Sequence, residues 1–188
     1  VNRLYLASTS PRRRELLRAS GLRFTLLRPA PEPPAPRTCP DPARLAVGHA
    51  CHKAHSAGRP GLDGLIIGVD TIVVLGRSIL GKPAGPDDAR RMLRLLAGRT
   101  HRVISGLAVH STRRGRTLTA TGTTEVTFRP LGAADIERYL DTGEPLDKAG
   151  AYGIQGRAAG FVTRVRGSYL NVIGLPLGRL YELLGRSG

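Results

Sequence analysis

Tryptophan is absent from this chain, and aromatic residues make up only 4% of it. Nucleic-acid grooves that hold single strands need aromatic faces on which bases stack, so such a groove is not expected. The net charge of +15 still points towards anions. A small polyanionic ligand accounts for a focused part of that charge as well as a nucleic acid does. Cysteine is scarce: Cys39 and Cys51 cannot form a framework of bridges, so a reducing compartment, the cytoplasm, is the expectation. No window is long and apolar enough for a membrane span, and the opening VNRLYLAS lacks the apolar core of a secretory signal. Lysine is nearly missing, with Lys53, Lys82 and Lys148 standing against 26 arginines. Where arginine is so favoured, each remaining lysine raises the question of whether a compact ammonium is required there.

What is present suffices for a packed interior. Hydrophobic residues form 40% of the 188, and neither a repeat nor a linker divides them, so one domain over 1–188 is expected. The most informative stretch is LIIGVDTIVVLGRSILGKP, Leu65–Pro83. Its two β-branched runs, Leu65–Val69 and Ile72–Leu75, read as buried strand, with Asp70 between them. Gly76-Arg77 is a turn signal and Ser78–Leu80 a returning strand, which brings Lys82 towards the same end as Asp70. A carboxylate so placed either joins a structural ion pair or faces a cleft, and these residues alone leave both open.

Around that stretch the pattern alternates between strand and helix. Leu4–Ala7 is a short strand; Ser8-Thr9-Ser10 leads to Pro11 and a helix over Arg12–Ser20, capped by Ser10 and stopped by Gly21. Hydroxyls, free N–H groups and Arg12, Arg13 and Arg14 at a helix start suit an anion, though an ordinary capped helix reads the same way. Arg23–Leu27 is a strand, and the six prolines of Arg28–Pro40 impose an extended loop whose one acid is Glu32. Asp41–Ala57 is a helix on which Lys53 reaches over a cleft edge. His49, His52 and His55 tempt a zinc reading, but positions six apart drift around the helix and metal pairs favour a spacing of four. A helix opens at Gly85-Pro86-Asp87-Asp88 with Ala89, Met92, Leu93 and Leu96 inward. Arg102–Ser111 and Thr117–Phe128 form a long hairpin in which Ser105-Gly106 suggests a bulge or a close approach to something bound. Ala133–Asp141 is a helix. The glycine-rich loop Gly143–Gly156 carries Glu144, Asp147, Lys148 and Gln155 at points that no core needs, which suits ligand contact. Phe161–Val165 and Ser168–Ile173 read as a last hairpin, and Pro176 starts a helix with Leu177, Leu180, Tyr181 and Leu184 on one face.

Five segments, LASTSPRRRELL (Leu6–Leu17), GVDTIVV (Gly68–Val74), GKP (Gly81–Pro83), GEPLDKAGAYGIQG (Gly143–Gly156) and GSYLNVIGLPL (Gly167–Leu177), together resemble the Maf family of nucleoside triphosphate pyrophosphatases. The resemblance implies a mixed, strongly bent α/β sheet flanked by helices, two lobes and a deep groove, related to the inosine-triphosphate pyrophosphatases. It implies hydrolysis of a nucleoside triphosphate to the monophosphate and pyrophosphate, with a divalent cation, Mg²⁺ or Mn²⁺. Asp70 would accept the proton of the attacking water; Ser8, Ser10, Arg12, Arg13, Lys53 and Lys82 would line the triphosphate path. Arg12, Thr71 and Gln155 match the marks of the subgroup that acts on dTTP and UTP. The family's pair of adjacent acids after the second strand reads Glu32-Pro33 here, which leaves Glu32, with Asp70, as the candidate metal ligand.

The chemistry agrees with this. Ammonium and guanidinium groups suit a triphosphate, and attack at the α-phosphorus needs a base and cations. The Gln155 amide offers the donor and acceptor that a uracil or thymine edge requires. Two other readings stand beside it: a non-catalytic nucleotide- or nucleic-acid-binding regulator of cell division, favoured by the charge, and a pyrophosphatase for a modified nucleotide. A homodimer is left open, and a membrane partner is not expected.

Overall fold

A computed structural model describes residues 3–187. In chain order its elements are β1 (Leu4–Ala7), α1 (Pro11–Ala19), β2 (Thr25–Leu27), α2 (Pro42–Ser56), β3 (Leu65–Leu75), β4 (Ser78–Leu80), α3 (Pro86–Leu96), β5 (Thr100–Ser111), β6 (Arg116–Phe128), α4 (Ala133–Leu140), β7 (Val162–Arg166), α5 (Tyr169–Ile173) and α6 (Leu177–Gly185). The strands form one mixed seven-stranded sheet in the order β2-β1-β3-β5-β6-β7, with β4 also paired to β3. β1 runs parallel to β2 and β3; every other pairing is antiparallel. The expected mixed α/β architecture is therefore observed. No helix among the described residues is long and apolar enough to cross a membrane.

Strand β3 organises the rest. On one side it pairs with β5 continuously from Leu65 to Val74. On the other it pairs with β1 only as far as Gly68 and with β4 only from Val73. Val69–Ile72 thus has no strand on that side, and the sheet opens beside Asp70. Because strand side chains alternate, Ile66, Gly68, Asp70, Ile72 and Val74 share one face, and α2 packs on it. The opposite face carries Leu65, Ile67 and Val69 in one apolar cluster with Leu17, Leu180 and Leu183, and Val73 in another with α3 and Phe128. Thr71 lies between these two clusters in sequence.

Two glycines set how near α2 comes. A Cβ on Gly106 would overlap the Ala46 carbonyl, and one on Gly68 would overlap the Ala50 carbonyl and press on Ala54. The register between β3 and β5 runs through Ser105 and Gly106 without a break. The expected bulge is absent, and what approaches the backbone is a helix of the protein itself.

Two further expectations are corrected. The last hairpin has only its first arm: Tyr169–Ile173 is helical, and Ser168 caps it by accepting from the Asn171 N–H at 3.3 Å. Asn171 is fully buried, donating to the Val103 carbonyl and to Thr124 Oγ1, both at 3.0 Å. A cap and a buried amide with fixed partners outweigh the β preference of Val172 and Ile173. In α6 the inward residues are Leu180 and Leu183, while Tyr181 is 46% exposed and its hydroxyl donates to the Ser20 carbonyl.

One core group makes stability depend on pH. His101 is buried against Phe128 and Tyr152, with Nε2 2.8 Å from the Tyr152 hydroxyl and Nδ1 without a partner. Burial pushes its pKa down to about 4. An unfolded histidine titrates near 6.5, so the unfolded state takes up the proton first as pH falls. This group's contribution is complete above pH ~6.5 and is lost towards pH ~4, a change of about 3 kcal/mol. Chemical unfolding as a function of pH should show that acid loss in the wild type and a flatter profile in His101→Gln.

Candidate functional site

The opening in the sheet beside Asp70 leads into a cleft of about 1150 Å³. Its walls come from the end of β1 and the start of α1, the proline-rich loop, α2, β3, the segment after β4, and the turn at 153–156. Ser8, Ser10, Arg12, Arg13, Glu32, Lys53, Asp70, Thr71, Lys82 and Gln155 all line it. Sequence reasoning singled out each of these residues, and the fold brings all of them together. Arg14 is not among the lining residues.

Asp70 is 6% exposed and faces α2. Lys53 Nζ donates to Asp70 Oδ1 at 2.7 Å and to the Val69 carbonyl at 3.4 Å, and it pairs with Glu32 Oε2 as well. His49 Nδ1 lies 3.2 Å from Asp70 Oδ2. Burial opposes ionisation of Asp70. The His49 hydrogen bond, the Lys53 charge and the Arg13 charge outweigh it and hold the carboxyl well below the usual carboxylate range. The Asp70 hydrogen bond in turn raises the His49 pKa. Lys53 thus reaches from α2 into the cleft lining, where it is partly buried, four residues and one helical turn from His49 on the face that meets β3.

The other side of β3 is tied to α1. Arg13 donates from Nε to the Gly174 carbonyl at 2.9 Å and from Nη2 to Thr71 Oγ1 at 3.0 Å. Burial lowers its pKa, with Asp70 and Glu32 acting in the opposite direction. Thr71 Oγ1 also meets Ser105 Oγ at 2.9 Å. Ser10 is the residue before α1, but its hydroxyl does not cap the helix; instead its N–H donates to Ser8 Oγ at 3.2 Å.

The glycine-rich loop is held from within. The Glu144 carboxylate accepts from the Tyr139 hydroxyl at 2.9 Å and from the Arg157 N–H at 3.1 Å, and Tyr139 accepts from the Gly153 N–H at 3.0 Å. Lys148 Nζ donates to the Glu144 carbonyl at 2.7 Å and to Asp147 Oδ1 at 2.6 Å. Three of the loop's four polar residues therefore fasten the loop while also lining the cleft, and Gln155, exposed at its turn, lines it without such a tie.

Histidines 49, 52 and 55 diverge. His52 meets the Pro31 carbonyl and His55 meets Thr117, while His49 alone joins Asp70. Sequence reasoning missed His49 because its partner lies 21 positions away on a strand. The available signal was its i, i+4 spacing with Lys53. Glu32, His49 and Asp70 offer donor atoms within 4.8 Å of one another. The two carboxylates already share the Lys53 ammonium, so the residues fit a cation.

A mixed sheet that opens at a buried, ionised aspartate, ringed by lysine, arginine and hydroxyl groups, has the make-up of an anion-binding hydrolase cleft. The family model described as Maf-like protein matches residues 3–187, and the chain belongs to that family. A dTTP/UTP pyrophosphatase of Moorella thermoacetica is 48% identical over 189 residues, covering 100% of this chain and 96% of that protein. One from Anaeromyxobacter dehalogenans strain 2CP-1 is 48% identical over 188 residues, covering 99% and 94%. Another, from Dictyoglomus thermophilum, is 43% identical over 185 residues, covering 98% and 96%.

Proposed function

We propose that this protein hydrolyses nucleoside triphosphates, with dTTP and UTP preferred, to the monophosphate and pyrophosphate. The observation that carries the reading is the ionised Asp70 at the sheet opening, facing a cleft that also holds Arg12, Lys82 and the start of α1. The names of the relatives support the substrate class. Two unpaired cysteines suit a cytoplasmic place of action.

In this reading Ser8, Ser10, Arg12, Arg13 and Lys82 hold the triphosphate, and Lys53 turns from its carboxylates to a phosphate oxygen as the substrate enters. That turn carries the ammonium to the phosphates and leaves the Asp70 carboxylate ionised and able to accept a proton. Asp70 takes the proton of a water as its oxygen attacks the α-phosphorus. The bond from that phosphorus to the bridging oxygen breaks, and pyrophosphate leaves with the electron pair. Glu32, His49 and Asp70 would hold the divalent cation, Mg²⁺ or Mn²⁺, which supplies charge neutralisation on the phosphate oxygens. Gln155 at its turn, with Arg12 and Thr71, sets the base preference. A base that leaves the Gln155 amide unpaired is disfavoured.

A panel of triphosphates, assayed side by side with Mg²⁺ and with Mn²⁺ and with products identified, tests this. Pyrophosphate from dTTP and UTP is expected, with purine triphosphates slower. Orthophosphate as the product would refute the bond cleavage, and a different best substrate would refute the base preference alone.

A further inference from the structure

The cation site contains a group that a magnesium site does not need. His49 is buried, and α2 brings its Nδ1 to 3.2 Å from Asp70 Oδ2. That is long for a hydrogen bond to a charged carboxylate, which is typically about 2.7–2.9 Å. It is close to the roughly 3.0 Å between neighbouring ligands of an octahedral ion with bonds near 2.1 Å. Glu32 closes the group from the proline-rich loop, and all three donors fall within 4.8 Å. Lys53 shows that this corner already holds positive charge, since its ammonium joins both carboxylates. A set made only of oxygens suits Mg²⁺, whereas an imidazole nitrogen shifts preference towards first-row transition-metal ions.

Resting on the hydrolase reading above, we infer that His49 is a metal ligand beside Asp70 and Glu32, and that this mixed nitrogen–oxygen site selects Mn²⁺ over Mg²⁺. The two acids supply charge and His49 supplies selectivity. The ammonium of Lys53 yields its place to the divalent ion and is thereby freed towards the phosphates.

The test is electron spin echo envelope modulation on the full chain loaded with Mn²⁺, with and without a non-hydrolysable triphosphate analogue. Nitrogen modulation from one directly bound imidazole is expected in the wild type. It should vanish in His49→Ala and in His49→Asn, with folding checked by thermal unfolding. Titration should show Mn²⁺ affinity falling about 10-fold or more in both variants, with Mg²⁺ affinity changed far less. Bound Mn²⁺ without nitrogen modulation in the wild type overturns the inference, and so does the absence of Mn²⁺ binding in both nucleotide states. Equal weakening of the two metals also overturns it, because His49 would then only position Asp70. Product analysis on the same preparations separates the two claims. Nitrogen coupling without triphosphate hydrolysis would sink the activity and leave the ligand, and hydrolysis without coupling would do the reverse.

Discussion

Replacing Asp70 by asparagine is expected to lower kcat on dTTP and UTP by about 10²–10⁴. Asparagine keeps the shape but cannot accept the proton of the attacking water. The loss should fall on kcat. Removing a negative charge from a cleft lined by Arg12, Arg13, Lys53 and Lys82 makes the field more favourable for a triphosphate, so with the divalent cation saturating KM should not rise. Lys53 retains Glu32 as a partner in the variant, which limits the cost of the lost charge. Steady-state kinetics, beside a circular dichroism check of folding, decide the matter. Turnover near that of the wild type would remove Asp70 from the chemistry.

Gly106→Ala should be among the most damaging single substitutions for stability. The added methyl would fall on the Ala46 carbonyl, which is helix backbone and cannot turn aside as a flexible side chain does. Overpacking of this kind costs about 3 kcal/mol or more, which corresponds to a fall in Tm of roughly 6–12 °C for a chain of this size. The same shift lifts α2 from β3 and draws Lys53 and His49 away from Asp70, so activity should drop even below the melting range. Thermal unfolding and kinetics measured on one preparation test both parts. An unchanged Tm would mean that α2 does not lie against Gly106.

Much of this arrangement was legible in the residues. The pattern around Asp70 declares a strand, a tight turn and a return, and these are local rules that survive tertiary context. Lys53 and Lys82 stood out through the scarcity of lysine, and Arg13 through its place at a helix start. Three things were not legible. The sequence marks Gly106 as a point of close approach but does not say whether a ligand or a helix makes it. Val172 and Ile173 carry β preference, and only the burial of Asn171 turns their segment into α5. The sequence sets His49 beside other histidines on its own helix, whereas the group that matters reaches it from a strand across the packing interface.

The guanidinium of Arg13 joins the first helix to the carbonyl of Gly174, a link between residues 161 positions apart. During synthesis the first arm of the pocket therefore waits, its arginine without this anchor, until the segment around Gly174 has been made. A chain lacking the segment around Gly174 would carry every cationic group named for the phosphates and still lack the clasp that sets Arg13 among them.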